Sequence, residues 1–186
     1  MVLPIIAFGA SILRRKCDTI TDNYDNLDSL LSNMWETMYE ANGVGLAAPQ
    51  INKPIRVFLI DTTPFLDDGE ELEIQAVKKV FINPVIIEEK GEEWSFNEGC
   101  LSIPEIREDV VRRSSIVIEY FDESFNKHID AFDGLTARVI QHEYDHINGR
   151  LFIDKISPLR KRMIKGKLVD ISSGMISTDY KMRFRK

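Results

Sequence analysis

Hydrophobic and polar positions change period several times along this chain, and each change marks an element. Leu27, Leu30, Leu31, Met34 and Met38 recur at helical spacing, with Gly43 following as a stop. This predicts a helix over about residues 25–41 whose apolar stripe faces a core. Shorter runs at 56–60, 80–86, 110–114, 116–121 and 127–132 read as strands, several alternating apolar with polar positions as half-buried antiparallel strands do. Residues 122–126 form the expected hairpin turn between the last two. The acidic stretch 62–73, with Pro64 and Gly69 in it, reads as an exposed loop without a chemical role. A second helix is expected over 134–148, with Asp133 as its N-cap and Gly149 just past its end. A third opens at Ser157-Pro158 and runs through basic residues to about Leu168. The expected class is α+β, with short antiparallel strands packed around one central helix.

The chain has 186 residues, 44% of them hydrophobic and 29% charged, enough for one substantial core and too apolar for a disordered chain. No run approaches the ~18 apolar residues that a membrane span requires, so no membrane partner is expected. The apolar run Leu3–Ala10 precedes the basic cluster Arg14, Arg15 and Lys16, the reverse of an export signal, and the expected location is cytoplasmic. Cys17 and Cys100 could form at most one disulfide, and a reducing compartment leaves both as thiols.

Charge is uneven. From Lys155 onward there are ten basic and two acidic residues, so the formal −6 divides into +8 on the tail and −14 on the remainder. The acidic balance argues against a dedicated DNA binder. The tail reads either as a solvated helix face or as a surface attracted to a polyanion such as RNA. No repeat and no flexible linker divides the chain. Residues 1–154 are therefore taken as the unit carrying the chemistry, and 155–186 as a basic extension belonging to it or packed on it.

That chemistry centres on His142-Glu143-Tyr144-Asp145-His146, an H-E-x-x-H segment on the second helix. Histidines four residues apart lie on one helix face and can reach one ion, with Glu143 beside it. At 100° per residue, Leu135, Val139, His142 and His146 fall within roughly 60° of one another, so the pair shares the buried face. A catalytic site of this kind needs a third protein ligand and one open position. The metzincin pattern fails because Phe152 stands where its third histidine belongs, and the thermolysin pattern fails because no glutamate follows Glu143. Asp154, Asp170, Asp179 and His128 stay open, but only Cys100 has a suggestive setting, Glu98-Gly99-Cys100-Leu101-Ser102-Ile103-Pro104. A glycine there permits close backbone approach, and a thiolate suits a borderline-soft divalent ion. Without the histidine pair, Cys100 would read as a small buried hydrophobe.

A Cys/His/His site with an open position would lower the pKa of a bound water from 15.7 towards about 7, and Glu143 could carry that water's proton to a leaving amine. The reaction class is hydrolysis. A metallopeptidase or amidase and a non-catalytic metal-binding protein share these features.

Three separated segments narrow the choice. Gly43-Val44-Gly45-Leu46-Ala47-Ala48-Pro49-Gln50, Glu98-Gly99-Cys100-Leu101-Ser102 and Gln141-His142-Glu143-Tyr144-Asp145-His146 together resemble the motif set of the peptide deformylases. The opening Phe8-Gly9-Ala10-Ser11-Ile12-Leu13-Arg14 also fits, and the likeness spans about residues 1–155. The resemblance implies removal of the N-formyl group from the methionine of newly made polypeptides, with release of formate. It implies Cys100, His142 and His146 as ligands of one divalent ion, Fe2+ in the cell, with Zn2+, Ni2+ or Co2+ also suiting the donors. Oxidation of that iron or of the Cys100 thiolate would inactivate the enzyme. The Gln50 amide and the Leu101 backbone N–H are implied as donors to the oxyanion. The Gly43–Leu46 loop, comprising Gly43, Val44, Gly45 and Leu46, would pair with the substrate backbone. Val44, Phe96, Leu135 and Val139 are candidates for an unbranched apolar pocket, and Arg107 matches an arginine at its mouth. Arg138 stands where an aliphatic residue is common. The basic segment Arg160–Lys167 is a candidate ribosome contact.

Overall fold

The computed structural model describes residues 1–66 and 76–184. Its main sheet is antiparallel, in the order β2 (Gly45–Ala47), β3 (Val57–Asp61), β4 (Lys78–Cys100), β5 (Ile103–Phe121) and β6 (Lys127–Asp133). A two-stranded parallel sheet pairs β1 (Ile5–Ile6) with β7 (Met182–Arg183). Helices α1 (Leu27–Glu40), α2 (Gly134–Ile147) and α3 (Pro158–Ser173) complete an α+β fold. Among the described residues no helix is long and apolar enough to cross a membrane.

Helix α1 buries Leu27, Leu30, Leu31, Met34 and Met38, the stripe its periodicity marks. These side chains pack on Leu46, Leu59, Val80 and Ile82. The two long strands extend well beyond the runs expected from alternation. Residues 110–114 and 116–121, expected as separate strands, form one strand with 103–109. The break expected at Ser115 is absent, and Arg112 occupies an inward position, in phase with Ile106, Glu108 and Val110. A charge there interrupts the apolar alternation without interrupting the backbone ladder.

Helix α2 lies against the sheet and is buried nearly all round, with Phe58, Phe81, Tyr120, Phe132 and Ile140 in the same cluster. Burial on every side usually means an apolar helix; this one buries Arg138, Gln141, Glu143, Asp145 and His146 as well. Asp133 stands at the N-cap position, but its carboxylate accepts from the Ser115 hydroxyl and makes no cap bond. At the other end Gly149 has φ +71°, and a Cβ there would lie 2.5 Å from the Arg14 carbonyl oxygen. Only glycine lets the chain leave the helix so close to the N-terminal segment.

Helix α3 continues to Ser173, further than expected, and ends on Gly174 at φ +77°. Ser157 caps it, accepting from the Arg160 backbone N–H. Ile164, Leu168 and Ile171 pack with Ile103, Ile106, Val110 and Phe152, so the basic helix is seated on the body. Of the acidic stretch 62–73, residues 63–66 form a 3-10 turn that brings Phe65 against the main core; residues 67–73 lie outside the described residues.

Candidate metal and active site

Cys100 ends β4 and His142 and His146 lie one turn apart on α2, and the three offer ligand atoms within 4.8 Å of one another. The Cys100 Sγ is 3.2 Å from His146 Nε2. The imidazoles stand 5.0 Å apart, nearly perpendicular. No other group of this kind occurs among the described residues; His128 pairs with Asp122, and Asp154 with Arg14. Both cysteines are free thiols. Burial pushes the Cys17 thiol up to about 11, so the second cysteine stays a neutral core group.

Below His142 lies a charged floor. Glu98, two residues before Cys100 on β4, lines the same cavity, and its side chain is only 4% exposed. It accepts from Arg112 Nε and Nη2 at 2.7 and 3.0 Å, from Arg138 Nη1 at 3.0 Å and from His142 Nδ1 at 3.0 Å. Arg112 also donates to Asp145 at 2.7 Å. Arg138 donates to the Val110 and Trp94 carbonyls and stacks on the Trp94 ring. Burial opposes the Glu98 charge, but hydrogen bonds from His142 and Arg112 outweigh it and hold the carboxyl well below its ordinary range. With Nδ1–H donating to Glu98, the His142 ring turns Nε2 towards the cysteine side, the orientation a ligand histidine takes from an outer carboxylate.

Glu143, next to His142 on α2, is equally buried but differently surrounded. Its Oε2 finds no partner among the described residues, and burial pushes its carboxyl up to about 7 against the pull of His142. A Cβ on Gly45 would lie 2.5 Å from Glu143 Oε1, so β2 can pass this carboxyl only as glycine. The Gln50 side chain is fixed by its oxygen, which accepts from the Ala47 N–H at 2.9 Å. Its amide nitrogen therefore faces the site, 3.2 Å from Ser102 Oγ and 3.6 Å from Cys100 Sγ.

A cavity of about 580 Å³ opens here. Gly43, Val44, Gly45 and Gln50 line one wall; Leu101, Phe96, Arg107 and Val139 complete it, with Cys100, His142 and Glu143 at its base. Leu46 and Leu135, named with these from sequence, are buried away from it. Leu46 follows Gly45 on a strand, so its side chain goes to the opposite face and packs among the α1 residues. Leu135 shares the angular face of His142 but sits seven residues away, about 10 Å along the axis. Among the cavity residues, Phe65 from the acidic stretch and Tyr180 from the tail carried no sequence signal, and Glu98 stood in a quoted motif without its structural role being read. The inward charge at Arg112 was the readable sign of a buried ionic partner.

The donor set suits a metal ion: two imidazoles and a sulfur converge, one ring is oriented by a carboxylate, and an acid with an unshared oxygen stands beside them. An α+β fold with this arrangement on an H-E-x-x-H helix is of the metal-binding hydrolase class. The sequence model of the polypeptide deformylase family matches residues 2–162. A peptide deformylase of Christiangramia forsetii is 58% identical over 99% of this chain and 96% of its own length, and one of Flavobacterium johnsoniae is 54% identical with the same coverage. The crystal structure of a peptide deformylase from Thermus thermophilus is similar at TM-score 0.82 and 34% identity, covering 94% of this chain and 99% of that one. A Legionella pneumophila peptide deformylase structure gives 0.80 and 35%, covering 94% and 98%. The chain belongs to the polypeptide deformylase family. It is a hydrolase that removes the N-formyl group from nascent peptides.

Proposed function

We propose that Cys100 Sγ, His142 and His146 hold one divalent ion, Fe2+ in the cell, with Zn2+, Ni2+ and Co2+ as serviceable substitutes, and that Glu143 is the acid–base group of the reaction. The observation that carries this reading is the convergence of the three donors within 4.8 Å beside the unpartnered Glu143 oxygen. The ion, when bound, supplies Lewis acidity and makes a water acidic enough to act near neutral pH. Glu143 is poised to take a proton from water and deliver it to the departing methionine amine, since burial raises the proton affinity of its carboxyl. The Gln50 amide and the Leu101 N–H are the oxyanion donors, the first oriented by Ala47 and the second fixed in the turn after Cys100.

The substrate backbone pairs with residues Gly43–Leu46. β2 is an edge strand, so its outer side is free to accept an extended peptide. Val44, Phe96 and Val139 contribute to the methionine pocket, and Arg107 stands at the mouth, donating to Asn97. The charged stem of Arg138 replaces an aliphatic edge of that pocket. The formyl carbon bears only hydrogen, and a tight fit near the ion rejects acetyl by overlap. The enzyme works in the cytoplasm, where nascent chains emerge. The exposed residues Arg162, Lys165 and Lys167 of α3 supply a weak contact to ribosomal RNA; Arg160 contributes less because Glu108 holds it.

Anaerobic purification, elemental analysis and a formate-release assay test the centre together. One ion per chain is expected, with activity lost on chelation and restored by Fe2+. Formyl-Met peptides should turn over while acetyl-Met peptides do not, and equal rates would defeat the narrow-cavity argument. Charge reversal at Lys161, Arg162 and Lys165 should weaken ribosome association in a salt-dependent manner; unchanged association retires the tail contact.

A further inference from the structure

The turn Leu101–Ser102 joins β4 to β5, and between the paired residues Cys100 and Ile103 its carbonyls lie outside the strand ladder. Both are nevertheless occupied. The Ser102 carbonyl accepts from the Phe8 N–H at 2.8 Å, and the Leu101 carbonyl accepts from the Tyr180 hydroxyl at 2.8 Å. These two partners come from opposite ends of the chain and are themselves tied together. β1 and β7 pair in parallel, Ile5 with Met182 and Ile6 with Arg183, and the Ile5 and Ala7 N–H groups donate to the Lys181 and Arg183 carbonyls at 2.8 and 3.0 Å.

The approach of Tyr180 is itself shaped. Gly174 turns the chain back at the end of α3, with the Phe184 ring 3.2 Å from where its Cβ would be. The Thr178 hydroxyl then donates to the Tyr180 carbonyl at 2.7 Å. Tyr180 arrives half-buried on the cavity wall, beside the sulfur-bearing turn.

We infer that Tyr180 is a positioning residue: through its hydrogen bond to the Leu101 carbonyl, the C-terminal segment holds the Cys100–Leu101–Ser102 turn in the orientation that aims the Leu101 N–H at the oxyanion. The inference rests on the reading of Leu101 as a donor. A two-residue turn can rotate its peptide planes at little cost when its carbonyls face water, and rotation about Leu101 would swing its N–H away from the site. Fastening the next carbonyl removes that freedom, and a donor held in place before the reaction costs no reorganisation during it. The acidic body thus depends on its basic tail for catalytic geometry as well as for coverage of its core.

Tyr180→Phe in the full chain, loaded with diamagnetic Zn2+, tests this. The variant keeps the ring and loses only the hydroxyl. Its kcat for formate release should fall about fivefold, the scale of one hydrogen bond, with KM and ion content held and the thermal midpoint lowered by no more than the few degrees that one hydrogen bond is worth. The Leu101 amide resonance should shift and its hydrogen exchange should quicken relative to the parent. An unmoved Leu101 amide overturns the inference. An amide that moves while kcat stays constant overturns the donor role given to Leu101, and with it any catalytic consequence of Tyr180. A fall in kcat matched by loss of ion or by a larger drop in thermal midpoint overturns it too, because Tyr180 would then be a packing residue.

Discussion

The two carboxylates beside His142, Glu98 and Glu143, are of opposite character in equal burial. On the floor side Glu98, 4% exposed, meets four N–H donors from two arginines and a histidine and stays charged. On the cavity side Glu143, also 4% exposed, has an oxygen without a partner and a pKa raised to about 7. Depth alone therefore decides nothing about a buried acid; the number of donors it meets does. Under the proposed roles, the carboxylate that orients a ligand is the one saturated with hydrogen bonds, and the one that exchanges a proton is the one left short of them.

The largest effect should come from the cavity side. Glu143→Gln keeps the shape and removes the titratable group, so kcat should fall by about 10²–10⁴-fold with the ion retained, as general acid–base groups contribute on that scale. Formate release and elemental analysis on one preparation decide it; loss of the ion would make Glu143 a ligand and break the contrast. On the floor side, Glu98→Gln should act on stability and on the ion. Arg138 would be left buried without an anion and Arg112 with Asp145 alone, at roughly 3–5 kcal/mol, and ion affinity should fall about 10–100-fold as the His142 ring loses its orienting partner. Denaturant unfolding and a competing chelator measure the two effects separately.

A smaller change sharpens the geometry of the cavity side. Gly45→Ala places a Cβ 2.5 Å from Glu143 Oε1. The carboxyl or β2 must shift, and kcat should drop about tenfold while stability falls by roughly 1–3 kcal/mol. Full activity in that variant would mean that Glu143 can work from another position. The smallest effect belongs to a third carboxylate on the surface hairpin. Asp122 is drawn down to about 2, chiefly by the His128 hydrogen bond 2.8 Å away. A depressed acid contributes stability that is present above its ordinary pKa and is lost as pH falls from about 4 towards about 2. Asp122→Asn should flatten that part of the stability profile slightly, and acid unfolding followed by circular dichroism reads it.

Much of this site is legible in the residues themselves. His142, Glu143 and His146 announce a helix-borne centre because a four-residue spacing puts both rings on one helix face, and the Gly-rich segment before Gln50, read as a loop through the family resemblance, leaves room for a close backbone approach. Legibility ended where a periodic rule met a position chosen for a distant partner. The strand expected over 110–114 in fact begins at Ile103, and its inward Arg112 answers Glu98 across the hairpin, a pairing that alternation alone does not reveal. Leu135 looked like a pocket residue because angular position on a helix is periodic, whereas distance along its axis is not.

Sequence by itself determined the local chemistry: which helix bears the imidazoles, which strands alternate, which residues can donate, accept or titrate. Tertiary structure alone decided that Glu98 would be saturated and Glu143 left wanting, that Phe65 would reach the cavity, and that Tyr180 would close on Leu101 from 79 residues away. Periodicity is written by neighbours within a turn or a pleat, but burial and hydrogen-bond supply are set by segments far apart in the chain, and no local pattern records who will arrive.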